Sequence, residues 1–248
     1  MVWRDGFFLN TTCTIEESPQ VETEGVLGVD LGISNIACDS DGQMHSGTAI
    51  KHVRHRHRRL RAKLQRKGTK SAKRRLKKLS GKERRFAKWV NHNISKGIVA
   101  KAKDTHRAIA LEDLKNIRTR ITVRRQSAAA RSQRAILHSW AFFQLRSFVV
   151  YKAQRQGMPV HLVDPRNTSR QCHACGCIDK RNRPNQHTFL CVSCGHAAHA
   201  DLNAARNIAS RAACKPAERL AVPPTRNWDA CIQVTLGGFQ PQGQSLAL

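Results

Sequence analysis

The sequence predicts an α/β protein in which helices flank a mixed sheet. Three short apolar runs typical of buried strands lie at 26–32, 108–111 and 160–163. Segments with helical periodicity separate them, at 51–107 and 134–156. Alternating strands and helices are the pattern of this fold class. Two Cys-x2-Cys pairs follow the third run and predict a small metal-bound module ahead of the last helix.

The first strands are predicted to form an antiparallel meander. The run at 26–32 has the apolar density of a buried strand and is interrupted by Asp30. Further strands are predicted at 35–39 and 43–46, and Asp41-Gly42 between them is a strong hairpin signal. Residues 1–25 hold only scattered apolar positions, which predict at most one or two edge strands.

Residues 51–107 predict a basic helical hairpin. Apolar side chains recur there at steps of three or four residues, namely Leu60, Leu64, Leu76, Leu79, Phe86, Val90, Ile94 and Ile98. Gly68 places the tip of the hairpin near Lys67-Gly68-Thr69. Gly81 also interrupts the pattern, and Ser80 followed by Glu83 predicts a capping box that restarts the second arm.

The distribution of charge predicts a polyanionic partner. The chain has 248 residues and a formal net charge of +27, and residues 51–134 contain 30 of its 44 Lys and Arg but only four of its 17 acids. A charged helix is often only a solvated face. Here, however, residues 51–90 hold 19 basic residues and a single acid, which i,i+4 pairing cannot neutralise. This balance argues against an ordinary small-molecule enzyme and for a nucleic-acid surface.

The side chains predicted to contact nucleic acid lie in two segments. The hairpin supplies Arg58, Arg59, Arg61, Lys63, Arg66, Lys67, Lys73, Arg74, Arg75, Lys77 and Lys78. Arg124 and Arg125 lie in residues 115–133, which are basic and lack periodicity, and which are predicted to form a mobile loop that acts as a lid. The helix at 134–156 is apolar on more than one face and is predicted to be buried between layers, ending at Gly157.

The cysteine spacing predicts a structural zinc site. Cys172, Cys175, Cys191 and Cys194 form two pairs with 15 residues between them, and each pair is followed by glycine. Four thiolates satisfy tetrahedral Zn²⁺ and leave no open coordination position, so this zinc is expected to hold the fold rather than to do chemistry. Two disulfides are the alternative, and they would require an oxidising compartment. Substitution of a ligand by the nearby Cys177, His173, His196 or His199 is another.

Three acids occupy positions where an acid is costly or well placed. Asp30 interrupts a buried strand, Glu112 ends the second apolar run, and Asp201 lies in or next to the first turn of a helix. Each has a structural explanation by itself: a hydrogen bond at a strand end, a partner for lysine, or a helix cap. Together, on a chain with an extended basic surface, they suggest a site for two Mg²⁺ ions that act on a phosphodiester.

The same residues carry a family resemblance. Gly28-Val29-Asp30-Leu31-Gly32 with Asn35, then Leu111-Glu112-Asp113-Leu114, then Asp164-Pro165 with Thr168-Ser169 and the first cysteine pair resemble the TnpB/OrfB family of transposon-encoded proteins. The final motif, Asp201-x-Asn203-Ala204-Ala205-x-Asn207-Ile208, completes the likeness, which runs over about residues 25–212. This family is related to type V CRISPR effectors, and older annotation names its members transposases.

The resemblance implies a fold, a chemistry and partners. It implies a RuvC nuclease core of RNase H-like fold with an inserted zinc ribbon, in which Asp30, Glu112 and Asp201 match the catalytic carboxylates and the four cysteines match the zinc ligands. It further implies an RNA-guided DNA endonuclease that uses Mg²⁺ or Mn²⁺, with DNA and a guide RNA as partners. Because only about 25 residues precede the first core strand, the N-terminal region that reads guide and target is expected to be largely missing.

The expected organisation follows from these motifs. Residues 1–25 are predicted to be a remnant of the N-terminal wedge-like region, 26–170 the nuclease core with its insertion at 51–107, 171–197 the zinc ribbon, 198–212 the last core helix and 213–248 a flexible tail. No secretion signal or membrane-spanning run is evident, which predicts a cytoplasmic, nucleoid-associated protein. Two alternatives stay open: a nucleic-acid-binding protein that does not cleave, and a fragment without independent function.

Overall fold

A five-stranded mixed sheet forms the centre of the chain. A computed structural model describes residues 18–114 and 142–214. The strands are β1 (Gly25–Asp30), β2 (Asn35–Asp39), β3 (Met44–Ser46), β4 (Arg107–Glu112) and β5 (Val160–Val163). Their order across the sheet is β3-β2-β1-β4-β5; β1, β2 and β3 pair antiparallel, whereas β4 is parallel to both β1 and β5. The predicted meander and the α/β class are confirmed.

The two faces of the sheet are covered by different helices. Side chains alternate along a strand, so Leu27 and Val29 face one layer while Val26 and Gly28 face the other. On the first face, Leu27, Val29, Ile109 and Leu111 pack into one core cluster with helices α2 (Lys70–Asp104) and α3 (Phe142–Gln154). On the second face, Ala110 and Val163 pack against α4 (Ala200–Ala213). Asp30 and Glu112 continue the alternation that faces α4.

The basic hairpin consists of α1 (Thr48–Lys67) and α2. Its tip lies where it was predicted: Gly68 ends α1 in the left-handed conformation with φ 65°, and the Thr69 hydroxyl caps α2 by accepting from the Ala72 N–H. The predicted restart at Ser80 is wrong, because α2 continues through Gly81 without a break. Glu83 does not close a capping box; its carboxylate instead pairs with Arg54 and Arg61 of α1.

The turn between β2 and β3 is anchored to the end of the hairpin. Asp39 accepts from the backbone N–H groups of Asp41 and Gln43, which shapes the turn, and Gly42 takes φ 95° there. Lys101 of α2 donates to Asp39 at 2.5 Å and pairs with Asp41 at 2.9 Å, while Arg107 grips Asp41 through both terminal nitrogens. The hairpin therefore returns to the sheet at a fixed point.

The cysteine-rich segment forms a small module between β5 and α4. It contains a two-stranded sheet of β6 (Thr188–Leu190) and β7 (Ala197–His199), preceded by a single 3₁₀ turn at Lys180–Asn182. Phe189 is fully buried in its own small core with Cys172, Cys191 and Ala200. Since Ala200 opens α4, the module shares its core with the helix that follows.

Several sequence predictions lie outside the described residues. These are the loop at 115–133 with Arg124 and Arg125, the first part of the 134–156 helix, most of the N-terminal remnant and nearly all of the C-terminal tail. In the described part of that helix, α3, Leu145 and Val149 are fully buried as predicted, whereas Phe143 is half exposed. None of the helices in the described part is long and apolar enough to cross a membrane.

Candidate active site and zinc centre

Asp30 and Glu112 are brought together by the register of two parallel strands. Val29 of β1 is aligned with Leu111 of β4, so the next residues along, Asp30 and Glu112, lie side by side at the same edge of the sheet. Both belong to the alternation that faces α4, and α4 contributes Asp201 from its first turn. The three predicted carboxylates therefore meet where β1 and β4 end and α4 begins. This site, formed by Asp30, Glu112 and Asp201, is called the acidic edge below.

Each of two carboxylates is oriented by a neutral donor. Glu112 is 8% exposed and accepts a 2.5 Å hydrogen bond from the Thr168 hydroxyl. Asp201 is equally buried and accepts a 2.9 Å hydrogen bond from the side-chain amide of Asn35. The Asp201 backbone N–H in turn donates to Nδ1 of His199, which caps α4. Donors that are themselves fixed by the fold restrict the carboxylate rotamers before any ion binds.

A single arginine from the cysteine-rich module reaches this centre. Arg183 lies 3.5 Å from Asp201 through its Nη2 atom, and the same nitrogen donates to the Gln186 carbonyl at 2.9 Å. Gln186 also donates to the hydroxyl of Ser34 in the loop after β1. The module thus lies against the β1–β2 loop and presents a cation to the acidic edge.

The Asp30 carboxylate lies where its negative charge is unfavourable. Burial raises the pKa of Asp30 well above its usual range, and the neighbouring Glu112 and Asp201 carboxylates raise that pKa further, while Arg183 lowers it. Burial also raises the pKa of Glu112, against the opposing hydrogen bond from Thr168 and the charge of Arg211. Negative charge is therefore only partly compensated at this edge, which is the condition that a bound cation relieves.

The donor set at this edge suits hard divalent ions. All three groups are carboxylates, and oxygen ligands are those that Mg²⁺ and Mn²⁺ prefer. Burial raises the pKa of the nearby Cys38 thiol to about 12, so this sulfur stays protonated and is a poor competing ligand. Asp30, Glu112 and Asp201 are the residues that could hold such ions.

The four predicted cysteines form a second, separate cluster. Their Sγ atoms all lie within 4.8 Å of one another, with Cys172 and Cys194 3.7 Å apart and Cys175 and Cys191 3.5 Å apart. A disulfide would require about 2.05 Å. Zn–S bonds of about 2.3 Å in a tetrahedron place sulfurs about 3.8 Å apart. The cluster therefore could bind Zn²⁺, and its geometry argues against the disulfide alternative.

Both cysteine pairs adopt the same backbone turn. In each, the first cysteine donates its N–H to a carbonyl five residues later and accepts from the glycine four residues later. Gly176 and Gly195 have φ of 76° and 72°, which these turns require. The N–H of Cys194 points at Sγ of Cys191 and lowers the pKa of that thiol to about 6, which favours the thiolate that a metal needs.

Three buried asparagines fasten the cysteine-rich module. Asn182 links the two turns: its amide donates to the Cys177 carbonyl and its oxygen accepts from the Val192 N–H. Asn203 of α4 accepts from the His173 N–H and donates to the Gln171 carbonyl. Asn207, one turn later, donates to the carbonyls of Thr168 and Gln171. Helix α4 therefore holds the first cysteine turn, the Thr168 segment and Asp201 together.

Most of the predicted nucleic-acid contacts lie exposed on the hairpin. The exposed members are Arg58, Arg59, Lys63, Arg66, Lys67, Lys73, Arg74, Arg75, Lys77 and Lys78. Arg61 differs, because its guanidinium pairs with Glu83. Glu83 is thus surrounded by cations of α1, and His57 lies 3.7 Å from it. This one acid holds the two arms of the hairpin together and leaves the outer cations available.

Two known family profiles match separate segments of the chain. A profile described as "Probable transposase" (OrfB_IS605) matches residues 10–118, the part that holds Asp30 and Glu112. A profile described as "Cas12f1-like, TNB domain" matches residues 142–208, which hold the four cysteines and Asp201. Over these two segments the chain is similar to the OrfB transposases and to the Cas12f1-like proteins. The two matched segments divide the acidic edge between them.

Curated relatives and a solved structure show the same similarity. A CRISPR-associated endodeoxyribonuclease Cas12f1 of Sulfoacidibacillus thermotolerans is 38% identical over 54% of this chain and 29% of its own length. A TnpB-like protein of Methanocaldococcus jannaschii is 29% identical over 75% of this chain and 68% of its own. A putative RNA-guided DNA endonuclease InsQ of Escherichia coli is 27% identical over 77% and 50%. The chain spans well under half the length of the Cas12f1 relatives.

The solved structure shows that the fold is shared. A Cas12f1–sgRNA–target DNA complex aligns with a TM-score of 0.59 at 20% identity, covering 76% of this chain and 50% of the other. At that identity the likeness concerns the fold: a mixed α/β arrangement with the sheet and helices described above.

Sequence reasoning missed the supporting residues of the site. Thr168, Asn203 and Asn207 stand in the motifs that carry the resemblance, yet their contacts were not predicted. A signal did exist, because Asn203 and Asn207 are polar residues at i,i+4 on the side of α4 that also carries Ala204 and Ile208. Arg183 had no such signal, because its approach to Asp201 depends on the path of the cysteine-rich module.

Proposed function

We propose that the chain is a DNA endonuclease of RuvC type, with Asp30, Glu112 and Asp201 as its metal ligands. The observation that carries the proposal is the convergence of these carboxylates at the edge shared by β1, β4 and the start of α4. The sheet order, with β1 antiparallel to β2 and parallel to β4, supports an RNase H-like core. The family and the endonuclease names of its relatives support a nuclease role.

The residues have separable tasks at a phosphodiester. Two Mg²⁺ or Mn²⁺ ions, when bound, supply an activated water and stabilise the leaving oxygen. Thr168 and Asn35 hold Glu112 and Asp201 in fixed rotamers, so little reorganisation is needed when substrate arrives. Arg183 offers a guanidinium to the phosphate beside Asp201. Burial of the acids keeps their interactions strong by excluding water.

The remaining assignments follow from charge and family. The exposed cations of the α1–α2 hairpin would bind the phosphate backbone, and Zn²⁺ in the cysteine cluster would fix the module that carries Arg183. We propose DNA as substrate and a guide RNA as partner, as in the names of the relatives. Binding through many phosphate contacts is expected to weaken steeply with salt.

The test is cleavage of labelled single-stranded DNA by the full chain with Mg²⁺ or Mn²⁺. Asp30→Asn keeps the shape but removes the charge, and cleavage is expected to fall to background. The control is Asp104→Asn, an exposed acid in the last turn of α2, which should cleave as the unsubstituted chain does. Titration with Mn²⁺ followed by paramagnetic resonance gives an independent readout, since Asp30→Asn should lose ion binding whether or not DNA is present.

Two outcomes would contradict the proposal. Equal cleavage by Asp30→Asn would remove the carboxylates from the reaction. Salt-sensitive binding of nucleic acid without cleavage under either metal would favour the alternative of a binding protein that does not cleave.

A further inference from the structure

We propose that Trp89 on the outer face of α2 is a stacking site for an unpaired nucleobase. Trp89 is 62% exposed, the largest exposed fraction among the exposed large apolar side chains of the described residues. An indole in water is unfavourable, and here it lies in the most basic part of the chain. The inference rests on the proposed function only in taking nucleic acid as the ligand of the hairpin.

The ring is held in a defined orientation. Phe86, one turn earlier on α2, stacks against it with ring centroids 6.1 Å apart and planes inclined by 25°. Phe86 itself is partly buried and packs against the core formed by α2, α3 and the sheet. Phe86 therefore restricts the Trp89 ring, so little side-chain entropy is lost when a base stacks on the exposed side of the indole.

Cations surround the indole on the same stripe of the helix. Lys82, Arg85, Asn93 and Lys96 lie seven or four residues from Trp89, which places them on one side of α2, and all are exposed. Among the described residues, no carboxylate pairs with Lys82, Arg85 or Lys96. The nearest acid in sequence, Glu83, faces α1 and is occupied by Arg54 and Arg61. The stripe thus offers positive charge on both sides of one aromatic ring.

This chemistry fits a single strand better than a protein partner. Protein interfaces bury contiguous apolar patches and are depleted in lysine, whereas Trp89 is the single exposed large apolar side chain on the described hairpin. Single-strand sites combine cations along the backbone with aromatic rings that stack bases. A strand with one base over the indole and its phosphates near Lys82, Arg85 and Lys96 would use the ring and the three cations of the stripe.

The test separates stacking from charge. Binding of oligothymidylate, oligouridylate and an abasic strand of equal length is measured for the full chain and for Trp89→Ala, Trp89→Phe and Asn93→Ala. Trp89→Ala should weaken binding of the strands with bases by about 5- to 150-fold, leave the abasic strand unchanged and keep the salt dependence. Trp89→Phe should retain most of the affinity, and Asn93→Ala, an exposed truncation one turn away, should retain all of it.

Fluorescence supplies a second readout. The chain has four tryptophans, so the emission change on binding is compared between the unsubstituted chain and Trp89→Phe. Quenching by oligothymidylate or oligouridylate should be present in the former and reduced in the latter. A preference for one of the two strands identifies whether DNA or RNA supplies the base.

The outcomes distinguish this inference from the proposed function. Unchanged affinity in Trp89→Ala, or an equal loss for the abasic strand, overturns the stacking site. In that case, a variant with alanine at Lys82, Arg85 and Lys96 that binds more weakly and with a lower salt dependence would show that the hairpin binds nucleic acid through charge alone. No binding of any strand by the unsubstituted chain contradicts both.

Discussion

Gly28 of β1 lies directly against the Ala205 carbonyl of α4, so that a Cβ atom at Gly28 would be 2.1 Å from that oxygen. It would also be 2.6 Å from the backbone nitrogen of Ala209. The helix can approach the strand this closely because position 28 has no side chain. This contact sets the distance between the strand that carries Asp30 and the helix that carries Asp201.

Gly28→Ala is therefore expected to destabilise the chain by about 3 kcal/mol, because backbone atoms rather than a flexible side chain must move. Urea unfolding in the presence of zinc measures this change. Gly25→Ala on the same strand is the matched control, since a Cβ there meets only the Arg107 side chain at 3.6 Å. Equal stability of the two variants would contradict the close contact.

Glu83, one of two acids in the α1–α2 hairpin, is expected to hold the two helices together. Glu83→Gln removes the charge that pairs with Arg54 and Arg61 between the two helices, and should lower the free energy of unfolding by about 1–3 kcal/mol. Added salt should recover part of the loss, because it screens the remaining repulsion. Thermal unfolding followed by circular dichroism at low and high salt measures both effects.

Asp104→Asn is the control for this experiment. Asp104 lies exposed at the C-terminal end of the same helix, where a negative charge opposes the helix dipole. Its removal should be neutral or slightly stabilising. If Glu83→Gln is as stable as Asp104→Asn at low salt, the ion pairs of Glu83 with Arg54 and Arg61 contribute nothing to stability.

The cysteine cluster is expected to bind one Zn²⁺ per chain. Cys175→Ser should lose tight zinc binding, whereas Cys177→Ser should keep it, because Cys177 lies outside the group of four. Metal content after dialysis against a weak chelator measures this difference. Loss of zinc from Cys177→Ser together with retention in Cys175→Ser would mean that the ligand set has shifted to the neighbouring thiol.

Asp41 is expected to make the stability of the fold pH-dependent. Hydrogen bonds from Arg107, and then from Lys101, hold its pKa well below the usual range. For an acid whose pKa is lower in the folded state, the stabilisation is present above the unfolded value of about 3.9 and disappears as the pH falls through the folded value. Asp41→Asn should therefore be less stable than the unsubstituted chain at pH 7, by about 1 kcal/mol or less.

The difference in free energy of unfolding between Asp41→Asn and the unsubstituted chain should become smaller as the pH drops below about 4. Urea unfolding of both at matched pH values isolates this residue, because zinc loss at low pH affects them equally. A difference that stays constant down to pH 2 would show that Asp41 does not titrate in this window.

The local parts of the fold could be predicted from sequence because local signals specify them. The Asp41-Gly42 turn and the tip at Gly68-Thr69 need positive φ angles and a helix cap. Glycine and threonine are the residue types that supply these, so the sequence indicates both turns. Gly81 led to the wrong prediction of a helix break. A glycine inside a helix costs about 1 kcal/mol, but burial of Leu79 and the ion pair between Glu83 and Arg61 outweigh that cost.

Of the residues at the candidate active site, only the carboxylates were predictable from the sequence. Asp30 and Glu112 draw attention because burying a carboxylate is costly, so their positions alone are informative. Arg183 and Thr168 act through contacts that exist only once the cysteine-rich module has folded onto the β1–β2 loop and α4. Such long-range pairs leave no periodic pattern in the sequence.

Asn203 and Asn207 give the cysteine-rich module a consequence for protein engineering. Because they bind its first turn to the helix that bears Asp201, the module is not an interchangeable cassette. An exchange between relatives that ends at residue 197 would separate the module from its own anchor. A chimera joined after α4, carrying residues 168–213 as one piece, should preserve the geometry of the acidic edge.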